Sequence, residues 1–281
     1  FTEALTTARQ SGVKLQISHI QPKYGAPSYA MEHTLNIIEL SKNVGVDVAF
    51  DVIPHTWNHT RVVAILPQWA QEGGASEIIT RLKKPEIREK IRKNPQPMWL
   101  LVRDNKWDDI ILIHSNKNPQ FVGSSFTEIG LSLGKDPYDA AFDLIIEEEE
   151  DMGSLLWSSK AFKESDIELC LKQPECAVIS DTTALAPYGI LENNIGSISG
   201  YSWAARFFQK YVNEKKILTL QEAIRRITSL PAERLGLIKR GKIQKSFYAD
   251  ICVFDPKKIK SDTDLKNLKS YPSGIEHVMV N

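Results

Sequence analysis

Ala177-Val178-Ile179-Ser180-Asp181 is the stretch from which we infer the fold of this chain. Its first four residues are small or apolar, and they lead directly to an acid. This pattern predicts a short buried strand with a carboxylate at its C-terminal end. In a parallel β/α barrel the catalytic groups lie at that end of the strands. The stretch therefore favours a parallel sheet with Asp181 at its functional edge.

Two other stretches have the same form. Leu15-Gln16-Ile17-Ser18 ends at His19, and residues 46–54 end at His55. Two imidazoles and one carboxylate at the ends of apolar strands predict a metal site. Each residue alone has a simpler interpretation: a histidine after a strand is usually a hydrogen-bonded rim residue, and Ser-Asp before a loop is usually a turn or a helix cap. Three such strand ends in one chain favour the metal site.

The composition is that of a globular chain without a charge bias. The chain has 281 residues, 42% of them hydrophobic, which is enough for a large single domain with a small appendage. Lys+Arg and Asp+Glu both total 35, so the formal net charge is zero. No basic excess points to nucleic acid or to a membrane surface, and no apolar stretch reaches the roughly 20 residues of a membrane span. We therefore expect no nucleic-acid partner and no membrane association.

The first residues and the cysteines bear on the cellular compartment. Phe1-Thr2-Glu3-Ala4 lacks the basic and apolar segments of a signal peptide, and without an initiator methionine we expect a fragment or a processed form. Cys170 and Cys176 have neither CxxC spacing nor an adjacent histidine, and Cys252 lies in an apolar run. We interpret all three as packing residues in a reducing compartment, which predicts a cytoplasmic protein.

The beginning of the chain has the order of a strand–helix–strand unit. A helix that ends at Gly12 precedes a predicted strand over residues 13–18. A predicted helix over 29–43 is closed by Gly45 and followed by a predicted strand over 46–53. Glycine at the end of each helix and alternation of the two element types are typical of a parallel sheet.

Later stretches continue this pattern with an interruption. Apolar runs at 98–102 and 110–113 predict a strand pair outside the barrel wall, and His114 after the second run is interpreted as a rim residue. Strands predicted at 155–157 and 177–179 bring the predicted barrel strands to four. Residues 182–199 are predicted to form a long loop over the barrel mouth.

Several of these stretches resemble the amidohydrolase superfamily. Leu15-Gln16-Ile17-Ser18-His19 resembles a strand of that superfamily that ends in Ser-His. Asp51-Val52-Ile53-Pro54-His55, followed by Thr60, is similar to a motif of the N-acyl-D-amino-acid deacylases, also called D-aminoacylases. Residues 66–74 resemble the loop that follows this motif in the family.

The most specific resemblance lies towards the C-terminus. Residues 228–237, 240–243 and 249–255 look like the family's passage from the barrel into a small β domain. The likeness extends from Phe1 to Asn281.

The resemblance implies an α/β fold: the C-terminal half of a (β/α)8 TIM barrel followed by part of a small β-sandwich. Residues 1–237 would carry barrel strands 5–8, with an insertion at about 60–150, and residues 238–281 would form the sandwich segment. A barrel of this type closes with about eight strands, so we expect this chain to be incomplete, with roughly 200 residues absent.

The resemblance also implies one or two zinc ions and hydrolysis of a linear amide. His19 and His55 would be metal ligands from the fifth and sixth strands. Asp181 would be the carboxylate at the end of the eighth strand, both a metal ligand and the catalytic residue. Zinc lowers the pKa of a bound water and polarises a carbonyl group, and Asp181 would take the water proton and return it to the leaving amine. Arg206 is a candidate for binding a substrate carboxylate, with a surface helix arginine as the simpler interpretation.

Three departures from the family pattern bear on the substrate. The family commonly has tyrosine where this chain has His55, and His59 competes with it for the ligand position. Ser180-Asp181-Thr182 replaces Ser-Asp-Gly, and the His-Pro-Arg sequence expected in the next loop is missing.

We therefore predict a zinc-dependent deacylase of N-acyl-D-amino acids, with a small-molecule substrate and a homo-oligomer as an open possibility. One alternative is a cyclic-amide hydrolase of the dihydroorotase or hydantoinase type. The loop after His55 favours the deacylase over this alternative. The other is a catalytically silent homologue that acts as a scaffold, which the loop after Asp181 favours. The acyl group, the side chain and the stereochemistry of the substrate stay open.

Overall fold

The computed structural model describes residues 1–96, 98–192, 194 and 196–281. Its helices are α1 (Thr2–Ser11), α2 (Ala30–Asn43), α3 (Gln68–Gln71), α4 (Ala75–Leu82), α5 (Pro85–Lys93), α6 (Leu100–Arg103), α7 (Phe126–Leu133), α8 (Pro137–Glu148), α9 (Glu164–Leu171), α10 (Trp203–Phe207), α11 (Leu220–Ile227) and α12 (Ser229–Arg234). Its strands are β1 (Leu15–Ile17), β2 (Val48–Val52), β3 (Asn58–Arg61), β4 (Ile110–His114), β5 (Leu156–Ser159), β6 (Cys176–Val178), β7 (Ile251–Phe254) and β8 (Ile275–Met279).

The chain folds into two compact units. The first unit comprises Phe1–Thr56, Phe162–Thr263 and Lys269–Asn281, and the second comprises Trp57–Ala161 and Asp264–Leu268. The predicted division into a barrel over 1–237 and a sandwich segment over 238–281 stays a prediction.

The first unit contains the parallel sheet expected from the sequence. Its strands lie in the order β1-β2-β6, with Leu15 opposite Val48 and Phe50 opposite Cys176. The strands predicted at 13–18, 46–53 and 177–179 are thereby confirmed within a few residues at each end. Glycine closes α1 as predicted, because Gly12 takes the left-handed conformation (φ 69°) that a side chain disfavours.

One prediction about this sheet is wrong. Residues 155–157 do not form a barrel strand, since β5 pairs antiparallel with β3 and β4 in the second unit. A short run such as Leu-Leu-Trp fits either kind of strand, and only its distant partners decide which one forms. Among the described residues the parallel sheet therefore has three strands rather than four.

The two faces of the parallel sheet have different surroundings. Alternate residues such as Phe50, Val52 and Cys176 are fully buried against the helices α2, α9 and α11, because successive side chains of a strand point to opposite faces. The opposite face carries Asp51 and Ala177 and borders a cavity of about 130 Å³ next to α12. One face is thus packed as in a β/α unit, and the other borders a small cavity.

The second unit is built on an antiparallel sheet with the order β3-β5-β4. Aromatic side chains pack edge to face in its core, with ring centroids 5.5 Å apart for Trp99 and Trp157 and 4.8 Å apart for Trp107 and Tyr138. Ser125 caps α7 through a reciprocal pair of hydrogen bonds with Glu128. These contacts give the unit a core of its own.

The predicted strand pair of residues 98–102 and 110–113 is half wrong. Residues 110–113 lie in β4, but its partner in the sheet is β5. Residues 98–102 do not form a strand, and Leu100–Arg103 is the short helix α6. Its buried residues Leu101 and Val102 are adjacent, and so short an apolar run has no period that distinguishes a helix from a strand.

Strands β7 and β8 pair antiparallel near the C-terminus and are largely exposed, and the sandwich to which we assigned them stays a prediction. The predicted loop over 182–199 has a 3-10 turn at Gly189–Leu191, while its residues Asn193 and Ile195 lie outside the described residues. Within the described ranges, we find no helix long and apolar enough to cross a membrane.

Candidate active site

His19 lies two residues beyond β1, in a turn that is hydrogen-bonded to the neighbouring strand β2. Its backbone has φ 38°, a left-handed conformation that is uncommon for residues other than glycine and that histidine adopts more readily than most. The backbone N–H of His19 donates a hydrogen bond of 2.6 Å to the carboxylate of Asp51 on β2. The Ser18 hydroxyl donates to the same oxygen at 3.1 Å. The sequence thus ends β1 in a turn whose conformation depends on β2.

Asp181 has a similar position beyond β6. Its backbone also lies in the left-handed region, with φ 48°. The carbonyl oxygen of the preceding residue, Ser180, accepts a hydrogen bond of 2.6 Å from the Ser199 hydroxyl. The hydroxyls of Ser199 and Ser197 lie 3.0 Å apart, and both residues are buried. A later part of the loop therefore holds the turn that carries Asp181.

The side chains of His19 and Asp181 meet. Although β2 separates β1 from β6 in the sheet, the His19 Nε2 atom lies 4.0 Å from the Asp181 Oδ2 atom. The two side chains are 44% and 49% exposed, so they are open to a ligand from solvent. Two of the three predicted site residues are therefore neighbours at the C-terminal edge of the parallel sheet.

His55 follows β2 and is buried, with 4% of its surface exposed. Its Nδ1 atom is buried and has no hydrogen-bond partner among the described residues. Burial, and after it the positive charges of Arg206 and Lys210, lower the pKa of His55 from 6.5 to about 2. The imidazole is consequently neutral near pH 7, which is the form that binds a metal ion.

Arg206 on α10 is half-buried. Its charged group has different neighbours from the charged group of Lys210. Lys210 forms an ion pair with Glu164. In contrast, the Arg206 Nε atom is buried without a hydrogen-bond partner, and no carboxylate of the described ranges forms an ion pair with this guanidinium. A partly buried guanidinium without a carboxylate partner favours binding of an anionic ligand. This agrees better with a substrate-binding arginine than with an arginine on an exposed helix surface.

The donor atoms suit zinc, but the described residues do not form a complete site. Imidazole nitrogen and carboxylate oxygen are both zinc ligands, and the buried His55 Nδ1 atom has no hydrogen-bond partner among the described residues. Within the described part of the chain, however, no group of three His, Cys, Asp or Glu side chains is arranged to hold a metal ion. The structure thus brings His19 and Asp181 together, and the place of His55 beside them stays a prediction.

The other candidate histidines lie in the second unit. His59 is on β3, opposite Ser158 of β5. The His114 Nδ1 atom lies 2.7 Å from the carbonyl oxygen of Ser154, in agreement with its interpretation as a hydrogen-bonded rim residue.

Sequence reasoning missed Asp51 and Ser199 as parts of the site. Asp51 had two available signals. It is the first residue of the stretch 51–55 that resembles the family motif, and it is an acid within a strand of apolar residues, where burial requires partners. No local signal distinguishes Ser199 from any other loop serine.

Comparisons with known proteins show which proteins this chain resembles in sequence and fold. The chain is 27% identical over 283 aligned residues to the N-acyl-D-glutamate deacylase of Alcaligenes xylosoxydans xylosoxydans, and the alignment covers 99% of this chain and 46% of that protein. The crystal structure of N-acyl-D-glutamate deacylase from Bordetella bronchiseptica, complexed with zinc and a phosphonate mimic of the tetrahedral intermediate, matches with a TM-score of 0.72 and 22% identity over 99% of this chain and 48% of that one. The chain has the fold of the D-aminoacylases.

A structure of D-aminoacylase, determined to establish the role of its binuclear metal centre, matches in the same way. Its TM-score is 0.71 and its identity 19%, over 99% of this chain and 48% of that one. No protein-family model matches the chain. The predicted resemblance to the N-acyl-D-amino-acid deacylases is thereby confirmed along the full length of the chain, which spans about half the length of the relatives it matches.

Proposed function

We propose that this chain is part of a zinc-dependent hydrolase that removes the acyl group from N-acyl-D-amino acids. The observation that carries the proposal is the meeting of His19 and Asp181 at 4.0 Å, at the edge of the sheet where such chemistry is expected. The relatives support it, since one is an N-acyl-D-glutamate deacylase complexed with zinc and another has a binuclear metal centre. The cofactor would accordingly be one or two zinc ions.

Each site residue has a distinct role in this proposal. His19, His55 and Asp181 hold the metal, and further ligands come from residues outside this set. Zinc, when bound, supplies a water of lowered pKa and polarises the amide carbonyl. Asp181 takes the proton of the attacking water and passes it to the leaving amine, a transfer that its exposed carboxylate allows. Arg206 binds a carboxylate of the substrate through its guanidinium, whose buried Nε atom has no hydrogen-bond partner among the described residues.

We also propose a barrel and a sandwich as the two parts of the fold. The parallel strands β1, β2 and β6 belong to the C-terminal half of a (β/α)8 barrel, and residues 238–281 belong to a β-sandwich. The helix-covered face of the sheet supports the first assignment, because the strands of such a barrel are covered by helices on their outer face. A cytoplasmic location and a homo-oligomer stay predictions.

Zinc content and stereospecific hydrolysis test the function. The protein should bind stoichiometric zinc and hydrolyse N-acyl-D-amino acids in preference to their L enantiomers. His19→Asn should lose zinc, whereas the control His114→Asn should keep it, because the His114 Nδ1 atom is bonded to Ser154. Equal zinc loss in both variants, or loss only in the control, would contradict the assignment. A protein without zinc would favour the scaffold alternative.

A further inference from the structure

Asp51 is a buried acid on the central strand of the parallel sheet, with 5% of its surface exposed. Its carboxylate accepts three hydrogen bonds. The Gln16 side-chain amide donates to Oδ2 at 2.8 Å, while the Ser18 hydroxyl and the His19 backbone N–H donate to Oδ1 at 3.1 and 2.6 Å. All three donors belong to β1 or to the turn that follows it.

The backbone of Asp51 contributes to the same junction. Its carbonyl oxygen accepts a hydrogen bond of 3.2 Å from the backbone N–H of Ile20. One residue of β2 therefore binds the chain before, at and after His19. The contact to the His19 N–H is the shortest of the four and is made to a carboxylate, which is the stronger class of hydrogen-bond acceptor.

The conformation of His19 explains why such a hold is needed. For a residue with a side chain, a backbone φ of 38° is sterically disfavoured. The turn would therefore relax towards a negative φ unless its surroundings opposed the change. Relaxation of the backbone would also redirect the imidazole, whose Nε2 atom lies 4.0 Å from Asp181. The carboxylate of Asp51 is the group placed to oppose it.

We propose that Asp51 is a positioning residue for His19: its carboxylate fixes the turn that directs the His19 imidazole towards Asp181. The inference rests on the proposed function, in which His19 is a metal ligand. Asp51 acts through the backbone and the neighbouring side chains of His19 rather than by touching the substrate.

The hydrogen bonds also predict how well an amide can replace the carboxylate. Asparagine would keep one acceptor oxygen for Ser18 and His19 and would present its NH₂ group to Gln16. Gln16 borders the cavity of about 130 Å³, and rotation of its amide would turn an oxygen towards that NH₂ group. Asp51→Asn should therefore rescue much of what Asp51→Ala loses.

The experiment compares Asp51→Ala, Asp51→Asn and a control, Asp47→Ala, in the full protein. Asp47 lies just before the same strand, pairs with Arg234 and has a side chain that is 53% exposed. Two quantities are measured: the zinc dissociation constant by competition with a chromophoric chelator, and hydrogen–deuterium exchange of a peptide that contains residues 18–21. Asp51→Ala should weaken zinc binding by about tenfold to 100-fold and accelerate exchange by about tenfold. Asp51→Asn should show smaller changes in both, and Asp47→Ala should match the wild type.

The two measurements separate the inference from the function on which it rests. If the wild type binds no zinc, the proposed function fails, and the exchange measurement still decides the role of Asp51. Unchanged exchange in Asp51→Ala, or zinc affinity equal to that of Asp47→Ala, would overturn the inference. Should Asp51→Ala fail to fold, Ser18→Ala takes its place: faster exchange at residues 18–21 supports the hold on the turn, and wild-type exchange overturns it.

Discussion

The Ser199 hydroxyl donates a hydrogen bond of 2.6 Å to the carbonyl oxygen of Ser180, the residue that precedes Asp181. Ser199 is 2% exposed, so this bond is shielded from water. The turns at Asp181 and His19 thus have two features in common. Each of these residues has a positive φ, and each turn is hydrogen-bonded to a polar group from another segment. The left-handed turns at the two strand ends depend on these contacts, because neither residue is a glycine.

Removal of the Ser199 hydroxyl should loosen the turn that carries Asp181. We expect Ser199→Ala to lower the free energy of unfolding by about 1 kcal/mol and to reduce turnover, since a shielded carbonyl loses its donor. Ser202→Ala is the matched control, because the Ser202 hydroxyl is also buried but has no partner among the described residues. Urea unfolding and steady-state kinetics measure both variants. Equal effects would show that the Ser199 bond does not support the turn.

Arg226 should be a strong determinant of stability in the first unit. Its side chain is 2% exposed and donates to the carbonyl oxygens of Cys176 at 2.8 Å and Leu171 at 3.1 Å, and to Glu222 at 2.7 Å. It thereby joins α11 to the first residue of β6. Arg226→Met should cost about 3–5 kcal/mol, because buried acceptors lose their partner.

The neighbouring arginine provides the control for this prediction. Arg225 also pairs with Glu222, but its side chain is 36% exposed. Arg225→Met should therefore cost about 1 kcal/mol or less in the same denaturation experiment. A larger loss from Arg225→Met than from Arg226→Met would contradict the importance of burial.

Glu222 should make stability depend on pH in the acid range. Hydrogen bonds from Arg225 and then from Arg226 lower the pKa of Glu222 from 4.5 to about 2. Because the pKa is lower in the folded state, the stabilisation is complete above about pH 4.5 and is lost as the pH falls towards about 2. The shift corresponds to about 3 kcal/mol at most, and solvent around a carboxylate that is 31% exposed reduces this towards about 1 kcal/mol.

Glu222→Gln tests this dependence. The variant should be less stable than the wild type at pH 7, and the difference should shrink between pH 4.5 and pH 2 when urea unfolding is compared across that range. Glu39→Gln, at a side chain that is 65% exposed, should have little effect at either pH. A difference between Glu222→Gln and the wild type that does not change with pH would contradict the prediction.

The parallel strands could be predicted because their signal is local. Strands buried against helices on one face are rich in β-branched and apolar residues, as β2 is, and glycine marks the ends of the preceding helices. The assignment of residues 155–157 failed because a strand's partners are set by distant sequence: β5 pairs with residues about a hundred positions earlier in β3. Local sequence does not encode that choice.

The candidate site could be predicted to a similar extent. His19 and Asp181 were found because parallel strands bring their C-terminal ends to one edge. The roles of Asp51 and Ser199 depend on hydrogen bonds across 32 and 19 residues, and no periodicity reports such contacts. The predicted role of His55 depends on groups beyond its own strand and stays a prediction.

Replacement of Asp181 by asparagine separates its proposed proton transfer from its place in the turn. Asparagine has the same shape and tolerates φ 48°, so the fold and the Ser199 contact should persist. An amide cannot accept and return a proton, so turnover on an N-acyl-D-amino acid should fall by about 100-fold or more, while KM should change less. Zinc is kept in excess in this assay, because Asp181 is also a proposed metal ligand. Asp47→Asn is the control, since this exposed acid pairs with Arg234 and should leave turnover unchanged. Near-normal turnover in Asp181→Asn, with wild-type zinc content, would show that Ser180-Asp181 serves only as a turn at the end of β6.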